Sequence, residues 1–413
     1  MQSLCILGRQ PSIGMAELES LYGSSVITPI SNIAALLDID PCILAFDRLG
    51  GSIKFCKVLT TLQTTKWEDI EKFLVGVSPE HAKSMVGGKM NIGLSLYGLK
   101  IDPQRLTRTA LSLKKAIRAA GKSVRIVPNK ELSLSSAQVI YNKLTGSNGW
   151  ELVFVVDGKQ TIIAQTVKEQ DINSYSLRDR DRPRRDSRVG MLPPKLAQII
   201  INLATGELSK DKLESICDIP EGQQLPRPKF NELILDPFCG TGVILQEALL
   251  MGYEVDGSDL DQRMIDYSAE NLKWLQSIFS IDNLADTNLE VGDATSFVWR
   301  RVPKFIASEA YLGQAFITQP SDAEIAQNIS TTNLIIKKSL QNIARQVPSG
   351  TRLCIAIPAY HGSRGDFKHL PLVDSIEELG YNRISFKHLS NSELVYFREQ
   401  QIVARELLVI TRK

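Results

Sequence analysis

The sequence predicts an α/β protein whose second half is a parallel sheet with helices wound on both sides, and three observations predict it. From Asn231 onward, strand-length apolar runs alternate with helix-spaced ones: LILDPF, a helix, YEVDGSD, a helix, LEVGDA, KFIASE, a helix, RLCIAIPA, a helix, ISFKHLS and VARELLVITRK. Such alternation builds βαβ units. Three of these strands run out on an aspartate, Asp236, Asp259 and Asp293, and in a doubly wound sheet ligands lie outside the carboxyl ends of the strands. The first of them leads through Gly240 and Gly242 into a helix from Val243, where glycines permit a tight turn and close approach of backbone to a ligand.

The 413 residues exceed one average domain, and the front of the chain reads as two smaller α/β units. LCILGR is a strand, Pro11 to Leu21 a helix, SSVITPI, AALLDI and GGSIKFCKVL strands, and KWEDIEKFL a helix. These make a region over residues 1–80. NIGLSLYG then alternates as a strand, Asp102 to Ala120 is an amphipathic helix, SVRIV a strand, and LSSAQVIYNKLTG a helix. ELVFVVDGKQTIIAQTV is a hairpin turning on Asp157-Gly158. These make a module over 81–170. An Arg/Asp-rich linker, 171–190, precedes the sheet domain of 191–413, whose first helix is entered through Pro193-Pro194.

Composition excludes several classes. The six cysteines include no Cys-x-x-Cys pair and there are four histidines, so no zinc site, disulfide framework or other metal centre is expected, and a reducing cytoplasm is the natural compartment. The start reads as a strand and a helix rather than a signal peptide. No run of about 18 uncharged apolar residues suggests a membrane span. Net charge is only +2, yet its distribution is uneven. Between Gly98 and Lys130 stand Lys100, Arg105, Arg108, Lys114, Lys115, Arg118, Lys122, Arg125 and Lys130 against the single acid Asp102. The segment Arg178 to Arg188 adds Arg182, Arg184 and Arg185 among its six arginines. A nearly neutral chain with one strongly basic strip suits a polyanion, although charge runs are commonly just solvated faces.

The loop chemistry narrows the ligand. The spacing Gly240-x-Gly242 admits a dinucleotide, but Leu245 stands where the third glycine of G-x-G-x-x-G belongs. A carboxylate at Asp236 would repel a pyrophosphate and would attract a sulfonium or an α-ammonium. The pattern therefore favours S-adenosylmethionine over a nicotinamide cofactor. Asp259 is placed to accept from a ribose diol and Asp293 from an adenine amine. Cys239, without a His or Cys neighbour in sequence, reads as a small packing residue.

DPFCGTGVILQEA resembles the cofactor motif of the THUMP-associated RNA guanosine-N2 methyltransferases, the tRNA guanosine-10 enzymes. RPRRDSRVGMLPPKLAQIIINLA resembles the segment before that motif, and ILGRQPSIGMAELESL the family's N-terminal ferredoxin-like region. The module over 81–170 occupies the place of the RNA-binding THUMP domain. The resemblance implies a Rossmann-like class I methyltransferase domain preceded by a ferredoxin-like region and a THUMP-like module. It implies S-adenosylmethionine as cofactor and structured RNA, most simply tRNA, as partner, with no membrane; a monomer, with or without a small activating subunit, is compatible with it. By carry-over Asp236, Phe238, Gly240 and Gly242 would surround the methionine end, Asp259 would hold the ribose, and Asp293 and Ala294 would flank the adenine, with Cys239 and Thr241 of the same loop counted among the cofactor-binding residues. Pro193, Pro194 and Lys195 lie beside the pocket.

The match breaks after the fourth strand. The family carries Asp-Pro-Pro-Tyr-Gly (or Asn first), whose first side chain and a prolyl carbonyl accept from the exocyclic amine while the aromatic stacks on the base. Here Ser308-Glu309-Ala310-Tyr311-Leu312-Gly313 stands instead. Two readings follow. In one, Ser308, Glu309 and Tyr311 form an altered but active amine site. In the other, the chain binds RNA without methylating it. A DNA amino-methyltransferase and a nicotinamide oxidoreductase complete the alternatives.

Overall fold

Hydrogen-bond ladders divide the chain differently from its motifs. The computed structural model describes residues 2–84, 88–186, 191–217, 229–279, 281, 283–316, 319–361, 367–398 and 401–413; Ser187 to Gly190, including Arg188 of the arginine-rich segment, lie outside them. In chain order the front of the molecule contains β1 (Ser3–Leu7), α1 (Pro11–Tyr22), β2 (Ile27–Ile30), β3 (Ala34–Leu37), β4 (Ser52–Leu62), α2 (Trp67–Ser84), β5 (Met90–Tyr97), α3 (Pro103–Ala119), β6 (Val124–Ile126), α4 (Ser136–Tyr141), β7 (Gly149–Asp157) and β8 (Gln160–Glu169). One unit comprises Met1–Pro11, Ser25–Asp47 and Ser52–Ile172; the other comprises Ser12–Ser24, Arg48–Gly51 and Asn173–Lys413.

In the first unit the expected separation of a region 1–80 from a module 81–170 gives way to one eight-stranded sheet, ordered β2-β3-β1-β4-β8-β7-β5-β6. The reason is that β4 pairs with β1 on one side and β8 on the other, so the seam is itself a ladder. A buried polar network bolts it. Lys54 of β4 pairs with Glu151 of β7 and, at 3.4 Å, with Glu169 of β8. Ser95 of β5 and Thr166 of β8 donate to the same Glu151, at 2.5 and 2.6 Å. Removing one partner of a buried pair strands the other charge. Lys54→Met is therefore expected to cost about 3 kcal/mol, read by denaturant unfolding, and Lys54→Met with Glu151→Leu to recover only part of that loss, because Glu169 still lacks its cation and Ser95 and Thr166 lose their acceptor.

Sequence logic accounts for the helices here. Asp102 accepts from Gln104 N and Pro103 opens α3, whose Leu106, Ala110, Leu113 and Ile117 are buried one turn apart. Ser135 and Gln138 form a capping box on α4, which ends at Tyr141, earlier than its sequence pattern suggests.

The second unit captures α1. Its buried Glu17 accepts from Gly50 N (2.9 Å), Gly51 N (2.8 Å) and Asn202 Nδ2 (2.7 Å), and Arg48 Nε donates to Asn202 Oδ1 at 2.9 Å. Burial pushes the Glu17 carboxyl up to about 7. The remaining elements are α5 (Ile172–Ser176), α6 (Pro194–Thr205), α7 (Lys210–Cys217), β9 (Phe230–Asp236), α8 (Val243–Leu250), β10 (Tyr253–Asp259), α9 (Gln262–Phe279), β11 (Asn288–Val291), β12 (Phe305–Glu309), α10 (Asp322–Gln346), β13 (Arg352–His361), β14 (Phe367–Lys368), β15 (Tyr381–Arg383), β16 (Val395–Tyr396) and β17 (Val403–Arg412). The main sheet runs β11-β10-β9-β12-β13-β17-β15. The first five of these strands are parallel, and β17 is antiparallel to β13 and β15. Ile234, Ala307, Cys354 and Leu407 pack with α6, α8 and α9; Leu235, Ile306, Leu353 and Leu408 pack with α10.

Two expectations differ. The alternation predicts a helix after β13, but the backbone there makes two sets of bonds three residues back, Asp374 N to Pro371 O and Ser375 N to Leu372 O, then Glu378 N to Ser375 O and Leu379 N to Ile376 O. A chain of tight turns buries Leu372, Val373, Ile376 and Leu379 instead. ISFKHLS forms no strand beyond a single further ladder bond, Ile384 N to Val409 O.

The Arg/Asp-rich segment is not a solvated linker. It contains α5 and a π-helical turn, Leu177–Asp181. Arg178 is buried against Glu247, Arg184 makes a two-pronged pair with Glu270, and Asp186 pairs with Arg263 at 3.1 Å.

Candidate active site

Four neighbouring parallel strands end on one rim. The order β11-β10-β9-β12 places Asp293, just past β11, beside Asp259, then Asp236, then Glu309. Gly292 N donates to Asp259 O at 2.9 Å, which ties the first two ends together. The topology therefore gathers four carboxylates that stand apart in sequence.

Asp236 is buried. Its Oδ1 accepts from Ser308 Oγ at 2.6 Å and from Phe238 N at 3.1 Å. Burial pushes its carboxyl up to about 7, against those two hydrogen bonds, and the nearby charges of Asp259 and Glu309 push the same way. Asp259 Oδ2 accepts from Gly240 N at 2.9 Å and Oδ1 from Asp261 N at 3.0 Å; burial raises this carboxyl too. Asp293 is exposed and Oδ1 accepts from Thr295 N at 2.9 Å. Ala294 is buried, and its carbonyl accepts from Asn342 of α10 at 3.1 Å.

The loop between β9 and α8 is held from behind. Gly240 and Gly242 take φ of +51° and +80°, a region that favours glycine, and a Cβ on Gly242 would come within 2.9 Å of Ser268 Oγ. Ser268 Oγ donates to Gly240 O at 2.8 Å, and Asn271 Nδ2 donates to Thr241 O at 2.8 Å and to Arg184 O at 2.9 Å. One asparagine of α9 thus ties both the loop and the arginine-rich segment. Cys239 is buried, its thiol raised well above its usual range by burial, consistent with packing. Phe238 is partly buried against the α10-side core. Pro194 is buried at the first position of α6, with Pro193 before it.

On the fourth strand the sequence reading needs correction. Ser308, expected to touch the substrate, has no exposed surface and spends its hydroxyl on Asp236; it positions the carboxylate. Glu309 does face the rim but is not alone, because Arg405 of β17 donates to it through Nε. Tyr311 is 44% exposed and lines a groove of about 440 Å³ with Gln314, Phe316, Gln327 and Asn328, large enough for a heterocycle. The loop carrying it is anchored by Asn328, which accepts from Gln314 N at 2.9 Å and donates to Tyr360 Oη at 2.9 Å. Gly313 is required there: φ is +89°, and a Cβ would lie 2.1 Å from Asn328.

Arg405, Asn328 and Asn271 escaped the sequence reading. Arg405 left a trace, a charged residue inside the apolar run VARELLVI, since Arg is seldom buried unpaired. Asn328 and Asn271 lie on the buried stripes of amphipathic helices, where an asparagine stands out only against apolar neighbours.

The basic residues divide. Lys100, Arg108, Lys115, Arg118, Arg125 and Lys130 are exposed; Lys114 and Lys122 are half-buried. Arg105 is paired with Glu68 of α2 at 2.6 Å, so the strip is less unmixed in space than in sequence. Arg184 and Arg185 are exposed. Arg182 is corrected: only 3% of it is exposed, and among the described residues its Nε and Nη1 have no hydrogen-bond partner, so it offers no surface for phosphate.

Sheet order, the antiparallel β17 and the loop after β9 define a Rossmann-like class I methyltransferase fold. The crystal structure of TrmN from Thermus thermophilus has a similar fold, at 15% identity over the whole of both chains and a TM-score of 0.50. In sequence the chain is similar to the tRNA (guanine(10)-N2)-dimethyltransferase of Methanocaldococcus jannaschii, 27% identical over 175 residues, which is 42% of this chain and 40% of that protein. The protein of the same name from Pyrococcus abyssi is 27% identical over 257 residues, 60% and 61% of the two, and that from Methanothermobacter thermautotrophicus 39% identical over 84, 20% and 18%. The chain spans less than two thirds of the length of each. No family model matches it. Among the described residues no helix is long and apolar enough to cross a membrane.

Proposed function

We propose that the chain transfers a methyl group from S-adenosylmethionine to an exocyclic base amine in structured RNA, most simply guanine N2 in tRNA. The observation that carries this reading is the row of four carboxylates on the ends of four adjacent strands, three suited to the cofactor and one to the base. Asp236 would hold the cationic methionine end, Asp259 the ribose hydroxyls, and Asp293 with Ala294 the adenine; Pro194 would border the methionine side. The cofactor supplies an electrophilic methyl on sulfur. Glu309 would accept one amine hydrogen, aligning the nitrogen lone pair with that methyl; alignment is where much of the acceleration of a group transfer arises. In such a transfer the S–C bond would break as the N–C bond formed, and the extra proton would leave the nitrogen toward Glu309 or water. A base turned out of its stack has room in the groove beside Tyr311. The exposed bases Lys100, Arg108, Lys115, Arg118 and Arg125, with Arg184 and Arg185, suit RNA phosphates read by shape rather than sequence. The names of the relatives support RNA over DNA, and in this reading the first unit, which carries the basic strip, serves as the RNA-holding part.

The test is mass analysis of tRNA nucleosides from cells with and without the protein. Loss of an N2-methylguanosine species is expected; an unchanged profile, together with no transfer of labelled methyl to total tRNA by the purified chain, refutes the reading.

Asp236 also sets a pH dependence. Burial pushes its carboxyl up to about 7, and a cationic ligand favours its ionised form. Affinity for S-adenosylmethionine is therefore full above that value and declines as pH falls through it, by up to about tenfold per unit. Calorimetry in buffers of different ionisation enthalpy should show proton uptake by buffer at pH 6 and little at pH 8, with the difference absent in Asp236→Asn.

A further inference from the structure

We propose that Arg405 is the positioning residue of this methyl-transfer site, holding Glu309 in the one rotamer that presents its second oxygen to the base. The proposal rests on the reading of Glu309 as the amine acceptor and adds a residue from outside the loop motif.

The geometry of three strands carries it. Glu309 on β12 pairs with Ala356 on β13, Ala356 pairs with Leu407 on β17, and Arg405 pairs with Pro358 two residues further along. Paired residues in register share a face of the sheet, so Glu309, Ala356, Pro358 and Arg405 stand on the same side. Two strand spacings, about 9.6 Å, separate β12 from β17, and a long side chain is needed to cross them. Between the two positions the intervening strand presents Ala356, paired with Glu309, and Pro358, paired with Arg405, and neither has a side chain tall enough to block the crossing. Arg405 makes it: the residue is 4% exposed, Glu309 14%, and Nε donates to Oε1. Nη1 leans on Gln401 Oε1 at 3.5 Å. Oε2 of Glu309 carries no hydrogen bond among the described residues.

The tether answers a need that the sequence creates. Glutamate has one more rotatable bond than the aspartate or asparagine of the related motif, and both prolines that would stiffen the loop are absent. Glu309 without a partner would sample several rotamers, and a displacement of about 1 Å at a reacting centre can cost about 10²-fold in rate. Arginine fixes a carboxylate with a directed fork, whereas lysine is a point charge on a freer stem.

The experiment uses the full chain, labelled S-adenosylmethionine and total tRNA. Arg405→Ala should lower kcat about 10²-fold while KM for tRNA and the calorimetric affinity for S-adenosylmethionine change less than about twofold. Added guanidinium should restore part of the rate of Arg405→Ala and none of the rate of Glu309→Ala. Arg405→Lys should fall between the two and serves as the deciding variant where Arg405→Ala does not fold. Wild-type kcat in either folded variant overturns the proposal, as does a loss shared equally by cofactor affinity and rate with no recovery in guanidinium, which marks a merely structural role. A wild-type protein that transfers no methyl group refutes the functional reading itself, and an active wild type with an indifferent Arg405 refutes this proposal alone.

Discussion

Asp236→Ala is expected to abolish detectable binding of S-adenosylmethionine and to reduce methyl transfer about 10³-fold, the scale of removing one partner from a buried charged pair. The carboxylate acts twice. Through Oδ1 it accepts from Phe238 N and Ser308 Oγ, which fixes the start of the loop that Gly240 and Gly242 complete. Through its charge it meets the cationic end of the cofactor. Asp236→Asn separates the two, because an amide oxygen still accepts from Phe238 N while the charge is gone. Affinity should then fall about 10- to 100-fold, the worth of a charge-assisted hydrogen bond, with the folded state and the RNA affinity preserved. Ser308→Ala should resemble a mild form of Asp236→Asn, since it removes a donor that holds the carboxylate. A filter-binding measurement for RNA beside calorimetry for the cofactor distinguishes these cases. Cofactor binding of wild-type strength in Asp236→Ala would contradict the assignment of this rim to S-adenosylmethionine.

The rim was legible because strand ends in a parallel sheet obey a local rule. A run such as LILDPF stops where its apolar residues stop, and the residue there faces the ligand side whichever strands flank it. Asp236, Asp259 and Asp293 could thus be read one at a time. Glu309 was legible for the same reason, being the last residue of KFIASE. Its partner was not, because Arg405 lies 96 residues away, and only the antiparallel insertion of β17 against β13 brings it near. The same limit explains the front of the chain. The strands from β1 to β8 were readable from short apolar runs, from the alternation of NIGLSLYG and from the Asp157-Gly158 turn, but the pairing of β4 with β8 is a long-range event that no local pattern encodes. Capture of α1 by the second unit depends likewise on Glu17 finding two backbone amides at Gly50 and Gly51. The arginine-rich segment misled for a different reason. Composition counts charges, and it cannot tell Arg178, buried against Glu247, from Arg185, which is exposed.

Glu309→Ala is the second large effect: kcat should fall about 10³-fold, within the span associated with removing a positioned acid or base, while affinity for S-adenosylmethionine stays near wild type. Glu309→Gln should lie between, because a carboxamide oxygen can accept from the amine, yet the neutral group binds Arg405 less tightly and can turn its own NH2 toward the base. Glu309→Asp restores the residue type of the related motif but shortens the reach to Arg405 by one methylene in a loop without the stiffening prolines, so it should recover little. A second readout ties Glu309 to the cofactor rim independently of turnover. Its charge is one of the causes that raise the Asp236 carboxyl. With Glu309→Gln the Asp236 carboxyl should ionise at lower pH, and the decline in cofactor affinity on acidification should begin lower than in wild type. Both shifts follow from one short row of carboxylates on the ends of adjacent strands. Were Glu309→Ala to keep the wild-type kcat, the amine acceptor would have to lie elsewhere, and the unchanged pH profile of Glu309→Gln would show that this glutamate does not communicate with Asp236 at all.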